Sequence, residues 1–560
     1  MRRFTFSFLA LAVALGAFAP LAAAEDSPLD FFPESTALII RLNEPDKTID
    51  KTADFVDAIQ PGFGQVVGQG ADQLGQAISN PELVGVDHSR PWYVGVVLSE
   101  DGPPVPMFVI PATEPDAFVD AIDEQMNAQA KGEWVVYVEK PAELPEVGAS
   151  KVTAKLNGEA AKVFESGDLS LFVDIAKLTE TYEEPIEDLK DKVNDGLNNL
   201  QLAAPPNVDF EPIIQMYSEI AHYAFRILED ASHLSIAMNV GSEGIQFEDY
   251  LVVKTGSASD KWIAAHPAED LPLLRKLPEG QHGYYGVSGM TNSMMKFGVQ
   301  YTQRMLKNNS ESEDLDSVIE QLGEVKIGGL VGSMRMGGST FISGTGIFEG
   351  ELGDDFKTLM RKLQTAAGEY EVNGMKQTID VQHDAEQIGD NSVDVVTVKQ
   401  EVVDPSVDPT GIQKNIMETM FGADGIQTRS LYASNRVVST VGSLDEMKKT
   451  LADLDGDDNK VLTERLEKLP SPANFIGLLD LANVYGEIFK IVGSTEGIPL
   501  QIDPSTIDNL NMRSSYIGFA AVTEPHAARC RFDVPVEQVQ NCIKLGTVIF
   551  VTIQQQQRGF

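Results

Sequence analysis

Apolar positions along this chain fall into two registers, short runs of strand length and longer stretches in which apolar residues recur three and four positions apart. A strand running straight into an amphipathic helix appears four times. Pro33-Glu34-Ser35-Thr36 leads into Ala37 to Leu42, then a helix through Phe55, Val56 and Ile59. Leu277-Pro278-Glu279-Gly280 leads into Tyr284 to Val287, then a helix through Met294, Met295 and Val299. Gly167-Asp168 opens Leu169 to Asp174, and Leu469-Pro470 opens Phe475 to Asp480. Each of these two runs ends on an Asp whose carboxylate can accept from the first amides of the coming helix.

The remaining segments pair off in the same order. Trp92 to Leu98, a Gly102-Pro103-Pro104 turn, Met107 to Ile110 and a helix carrying Phe118 and Ile122 match Val331 to Met336, Gly337-Gly338, Phe341 to Phe348 and a helix carrying Phe356 and Met360. A later hairpin, Leu234 to Val240 and Ile245 to Val253 around Gly241 to Gly244, matches Tyr516 to Val522 and Ala528 to Val534 around Glu524-Pro525. Hairpins imply antiparallel pairing, and strand-helix units imply an α+β layer. The pattern predicts two pseudo-repeated halves, residues 27–262 and 263–560, each an antiparallel sheet covered on one face by helices. Leu38, Ile40, Leu171 and Val173 are expected in one core, and Tyr285, Val287, Ile476 and Leu478 in the other. Insertions enlarge the halves around Ile186 to Ala231 and around Gly374 to Phe421; in the first, Ile186, Leu189, Val193, Leu197 and Leu200 form a helical stripe expected to pack on the sheet, with a docking face for a partner or an apolar ligand as the alternative.

The first residues change the compartment. Arg2 and Arg3, an apolar run from Phe4 to Leu21 and Ala22-Ala23-Ala24 before Glu25 have the order of a secretory signal peptide, residues 1–24, cleaved before Glu25. No Cys follows that site, which excludes lipid attachment there, and later apolar runs such as Gly546 to Ile553 fall short of the roughly 20 residues a membrane span needs. A secreted or periplasmic protein with no span after cleavage is expected. The formal charge of -41 repels nucleic acid and anionic head groups and favours cations and basic partners.

Candidate chemistry is thin. Cys530 and Cys542 are the two cysteines; in an oxidising compartment they can bridge or remain two reduced apolar side chains, and neither has a zinc-like neighbour. Ser293-Met294-Met295-Lys296 and Lys254-Thr255-Gly256 imitate the motifs of serine β-lactamases and penicillin-binding proteins, but stand in the reverse chain order. There is no nucleophile elbow and no zinc-protease helix. Asp380, His383, Asp384 and Glu386 gather mixed metal-ligand types, with a solvated acidic loop as the plainer reading. Asp453, Asp455, Asp457, Asn459 and Glu464 occupy positions 1, 3, 5, 7 and 12 of a calcium loop, yet Asp458 stands where Gly is needed and Lys460 where an aliphatic residue belongs, so a connector between helices explains the same letters. No residue is assigned as catalytic, cofactor-binding or metal-ligating, and no cofactor is expected.

The opening FFPESTALIIRLNE, echoed in LPEGQHGYYGVSG and LPSPANFIGLLDL, resembles the large uncharacterised secreted proteins of planctomycete-type bacteria, which begin after the signal peptide with a Pro-containing turn and a strand-helix unit. That resemblance implies no activity and transfers no functional residue. Two large patterned halves without a catalytic constellation point to a non-enzymatic envelope or extracellular protein acting by surface interaction with an unknown protein or envelope partner. A carrier or sensor of an apolar ligand, and a hydrolase whose carboxylates are distant in sequence, are the alternatives. The junction between the halves separates the three: a deep apolar cavity, two facing carboxylates, or a filled seam.

Overall fold

The apolar runs bounded by Gly, Pro and Asp form strands, and every pair of neighbouring strands is antiparallel. The computed structural model describes residues 27–558 except 72, 100–101, 123, 146–151, 204–210, 297, 299–316, 319–320, 322–324, 338–340, 364–367, 373, 405, 407, 423 and 496–501. Residues 1–24, expected to form a signal peptide, and position 299 of the expected second helix therefore lie outside the described residues.

The first eight strands are β1 Thr36–Leu42, β2 Trp92–Val97, β3 Val105–Pro111, β4 Met126–Lys131, β5 Trp134–Glu139, β6 Leu169–Val173, β7 Ala231–Gly241 and β8 Gly244–Val253. Then follow β9 Gly283–Ser288, β10 Lys326–Met336, β11 Ile342–Glu351, β12 Gly368–Val372, β13 Met375–Ile388, β14 Asn391–Val402, β15 Ile426–Tyr432, β16 Arg436–Val441, β17 Phe475–Leu479, β18 Ile517–Glu524 and β19 Ala527–Pro535. All 19 belong to one sheet. Their pairings run β4-β5-β3-β2-β1-β6-β7-β8 and continue, through β8 against β19, as β19-β18-β17-β9-β10-β11-β16-β15-β14-β13-β12. The sequence pattern implied two sheets; the structure joins them edge to edge, which removes two edges that would otherwise expose unpaired amides.

The two largest cores lie on one face of this sheet, but helices also pack on the other, where Phe118 meets Ile110 and Tyr137, Phe356 meets Phe348, and Phe55 meets Met238 and Val240, so the expected cover on a single face does not hold. Ile39, Phe172, Ala237 and Tyr250 pack with Val163 and Phe164 of the helix Gly158–Ser166. Farther along, Tyr284, Ile476, Leu478 and Ala520 pack with Met447 and Leu454 of the helix Leu444–Asp455, Leu462 and Leu466 of the helix Lys460–Leu466, and Leu274. The expected core residues split accordingly. Ile476, Leu478 and Val287 are buried, but Leu38, Leu171, Val173 and Tyr285 are only half-buried and Ile40 is 40% exposed. In Ala37 to Ile40 every position is apolar, so alternation carries no phase, and the more deeply buried set is the opposite one, Ala37 and Ile39.

Asp174 and Asp480 do cap their helices, accepting from the amides of Lys177 in Ile175–Thr181 and Asn483 in Leu481–Ser494. Phe118 and Phe356 are buried in the two matched helices Pro115–Ala121 and Gly353–Leu363. The first insertion forms two long helices, Glu183–Ala203 and Glu211–Asp230, which pack on each other. The stripe through Ile186, Val193 and Leu197 thus meets a second helix rather than the sheet, and Leu189 is 52% exposed. The second insertion adds β13, β14 and the helix Ile412–Phe421 at the far edge. No helix among the described residues is long and apolar enough to cross a membrane.

Candidate functional site

The seam between β8 and β19 is built from alternation. Glu248 pairs with Arg531 and Tyr250 with Arg529 on one face, while Phe247 pairs with Phe532 and Asp249 with Cys530 on the other. On the first face Glu248, 7% exposed, accepts from Arg529 Nη1 at 2.7 Å and from Arg531 Nη2. Arg529 also donates through Nε to Glu524 at 2.8 Å and through Nη2 to Glu159 at 3.1 Å, its guanidinium lying 5.1 Å from the Tyr250 ring centre. The seam is therefore filled by a charge ladder. Glu248 and Asp249 point to opposite faces, so it does not present the facing carboxylates that a hydrolase reading requires.

The other face is apolar and covered only in part: Met238, Val240 and Ile245 pack with Phe55 and Val56 of the helix Pro45–Ile59 and with Val536 and Val539 of the helix Val536–Arg558, and an exposed row is left beside them. Leu169, Met238, Phe247, Phe532 and Phe519 stand in direct cross-strand register over β6, β7, β8, β19 and β18. The row continues through Gly477 on β17 and Tyr285 on β9 to Gly332 on β10. A Cβ at Gly332 would sit 2.4 Å from Tyr285 Cζ, so the missing side chain is what lets that ring lie across β10. Leu169 is 38% exposed, and Phe247 and Phe532 37% each. Neighbouring Ile40 extends the patch onto β1, so Leu169, Phe247, Phe532 and Ile40 are large apolar side chains left more than a third exposed beside the helix-covered Met238. Asp249 and Cys530 lie within this face. Burial pushes the Asp249 carboxyl up to about 6, against a hydrogen bond from the Cys530 thiol and with help from Glu248. Burial and Asp249 together push the thiol up to about 12.

The residues singled out from sequence are dispersed. Ser293 Oγ meets His266 Nε2 at 2.9 Å, but both side chains are on the surface and His266 Nδ1 meets the Trp262 carbonyl at 2.8 Å rather than an orienting carboxylate. Lys254 instead donates to the Glu229 carbonyl at 2.6 Å, so the two lactamase-like motifs do not share a cleft. His383 and Asp384 are drawn to buried Asp394, which binds Arg361 at 2.6 and 2.8 Å; Glu386 is bound by Arg429 at 2.8 Å, and Asp380 accepts from Gln382. Ser392, Arg361 and Lys357 hold Asp384 well below the usual carboxylate range. Asp384, Asp394 and Glu386 are thus neutralised by cations of the chain itself.

The proposed calcium loop is a helix connector. Asp453 and Asp455 end one helix, while Asn459 caps the next by accepting from the Leu462 amide and donating to the Leu277 carbonyl at 3.2 Å. Among the described residues no group of three or more His, Cys, Asp or Glu side chains is placed to hold a metal. Cys530 and Cys542 are both free, with Asp249 and Gln538 as separate partners, so the two thiols are not bridged. A cavity of about 660 Å³ lies along the two long helices, but its Lys190 is already paired with Glu187 and Glu229 and its Arg226 with His222.

Sequence reading passed over the open row and the ladder. The visible signal for the ladder was Arg529-Cys530-Arg531, two cations at strand spacing flanking an apolar position, opposite Glu248-Asp249-Tyr250.

No family model matches this chain, and no curated protein matches it. Solved structures that align with it include TP0453 in crystal form I, at 9% identity over 49% of this chain and 97% of that one, with a TM-score of 0.21. Crystal form III of TP0453 aligns at 11% identity over 48% of this chain and 97% of that one, again with a TM-score of 0.21. Likeness at that level bears on neither the function of this chain nor its ligands.

Proposed function

We propose that this is a non-enzymatic protein that works by surface interaction, with the exposed apolar row at the β8–β19 seam as its working surface. The observation that carries the reading is the unbroken register of Leu169, Met238, Phe247, Phe532 and Phe519, three of them more than a third exposed. Large exposed apolar patches on soluble proteins mark binding surfaces. The test is a titration with the neutral fluorophore N-phenyl-1-naphthylamine. Binding is expected, weakened about tenfold, or about 1.4 kcal/mol, by Phe247→Asp. Because the Asp249 carboxyl titrates at about 6 within that face, affinity should fall as pH rises through 6 and its carboxylate forms, and Asp249→Asn should remove the dependence. Equal binding by wild type and Phe247→Asp would sink the reading. A second reading, carriage of a small apolar ligand, draws on the same row; an apolar molecule copurifying with the exported protein would favour it over docking.

The two-half architecture belongs to the same proposal. Read outward from the seam, β8-β7-β6-β1-β2-β3 and β19-β18-β17-β9-β10-β11 follow one another through corresponding chain positions, which supports two pseudo-repeats, 27–262 and 263–560, related across the seam. The boundary at 262 falls within the helix Ala258–Ala265 that leaves β8. Export is the compartment this reading requires, with the secreted or periplasmic form beginning at Glu25; an exported protein still carrying residues 1–24 would contradict it. The kinship with planctomycete-type secreted proteins stays at the level of resemblance.

A further inference from the structure

The helix Glu211–Asp230 has more apolar surface than its neighbour covers. Its residues Ile214, Ala221, Phe225 and Leu228 are half-buried, Ala221 and Phe225 beside Lys190 and Asn194 of Glu183–Ala203, and among the described side chains neither helix has one fully buried. A second stripe on the same helix points outward: Tyr217 is 52% exposed, Ile220 54%, Tyr223 59% and Ile227 46%, with exposed Ala224 between them. Positions 217, 220, 224 and 227 alternate spacings of three and four, the pattern that receives the side chains of another helix along a seam.

The occupant follows from shape and charge. A stripe of this period along a helix of 20 residues fits an amphipathic helix of similar length. The surroundings are acidic. Glu183–Ala203 carries Glu183, Glu184, Glu187, Asp188, Asp191 and Asp195 against Lys190 and Lys192, and Lys190 is held by Glu187 and Glu229. Glu211–Asp230 carries four carboxylates against Arg226 alone. A second copy would bring two acidic arms together on chains of charge -41, and an anionic membrane would be repelled in the same way. We propose that the outer face of Glu211–Asp230 docks a basic amphipathic helix of a partner protein. This surface is separate from the sheet face, and neither reading depends on the other.

The test uses the full exported protein and a synthetic helix of about 20 residues with Leu at the a and d positions and Lys elsewhere, beside a version with Glu in place of every Lys. The Lys helix should bind, the Glu helix should not, and raising salt should weaken the complex. Ile220→Asp separates specific docking from charge attraction because the two predict opposite signs. It adds negative charge, which would tighten nonspecific binding of a cation, whereas loss of the central apolar contact should weaken binding at least about tenfold. Tyr223→Ser, which leaves the charge unchanged, should weaken it in the same direction. Side chains more than half exposed can be replaced without unfolding, and circular dichroism checks this. The proposal is overturned if the Lys helix does not bind, if Ile220→Asp binds it equally or more tightly, if the Glu helix binds as well, or if the stripe instead mediates self-association or adsorption to anionic phosphatidylglycerol vesicles that Ile220→Asp abolishes.

Discussion

Glu248→Ala should destabilise the protein by about 3 kcal/mol or more, close to the upper range for a single substitution. The carboxylate is 7% exposed and accepts from both Arg529 and Arg531. Its loss leaves two guanidinium groups in a poorly solvated strand seam, and Arg531 already has a buried Nε without a partner. Arg529 keeps Glu524 and Glu159, so the larger part of the cost falls on Arg531. Because the pair is buried, high salt should recover little of the loss. Glu524→Ala is the internal comparison: its side chain is 26% exposed, and the cost should be nearer 1 kcal/mol. Urea unfolding of the three proteins measures this, and a Glu248→Ala loss under about 1 kcal/mol would mean that the ladder does not hold β8 to β19.

Two adjacent residues of β6 should behave very differently. Phe172 is 0% exposed among Ile39, Phe164 and Ala237, so Phe172→Ala should cost about 3–5 kcal/mol through lost transfer energy and the cavity left behind. Leu171 faces the other side and is half-buried, so Leu171→Ala should cost about 1 kcal/mol. Thermal or urea unfolding reads both. Equal losses would mean that both sides of β6 are packed alike.

These two residues also show where the sequence was legible and where it was not. Helix starts at Asp174 and Asp480 were readable because a short acceptor at the end of a strand has one local use, and both carboxylates cap as expected. Hairpins at Gly241 to Gly244 and around Glu524-Pro525 were readable from turn chemistry. The face of β1 and β6 that packs was not, because Ala37-Leu38-Ile39-Ile40 and Leu169-Ser170-Leu171-Phe172-Val173 are apolar on both sides of the pleat or nearly so. That lack of alternation was itself the trace of apolar contacts on both faces of the sheet. The union of β8 with β19 joins residues nearly 300 positions apart in sequence, and no local pattern specifies such a pairing. The acidic segments misled in the other direction: Asp384 and Glu386 resembled ligands until the structure supplied Arg361 and Arg429 from elsewhere in the chain.

The continuity of the sheet through that union underlies both the ladder and the apolar row, and amide hydrogen exchange measured strand by strand tests it most directly. Gly244–Val253 and Ala527–Pro535 should be among the slowest-exchanging segments, protected together as the middle of one sheet, while the edge strands Met126–Lys131 and Gly368–Val372 exchange faster. Exchange along either seam strand as fast as at those edges would contradict the account and divide the sheet in two.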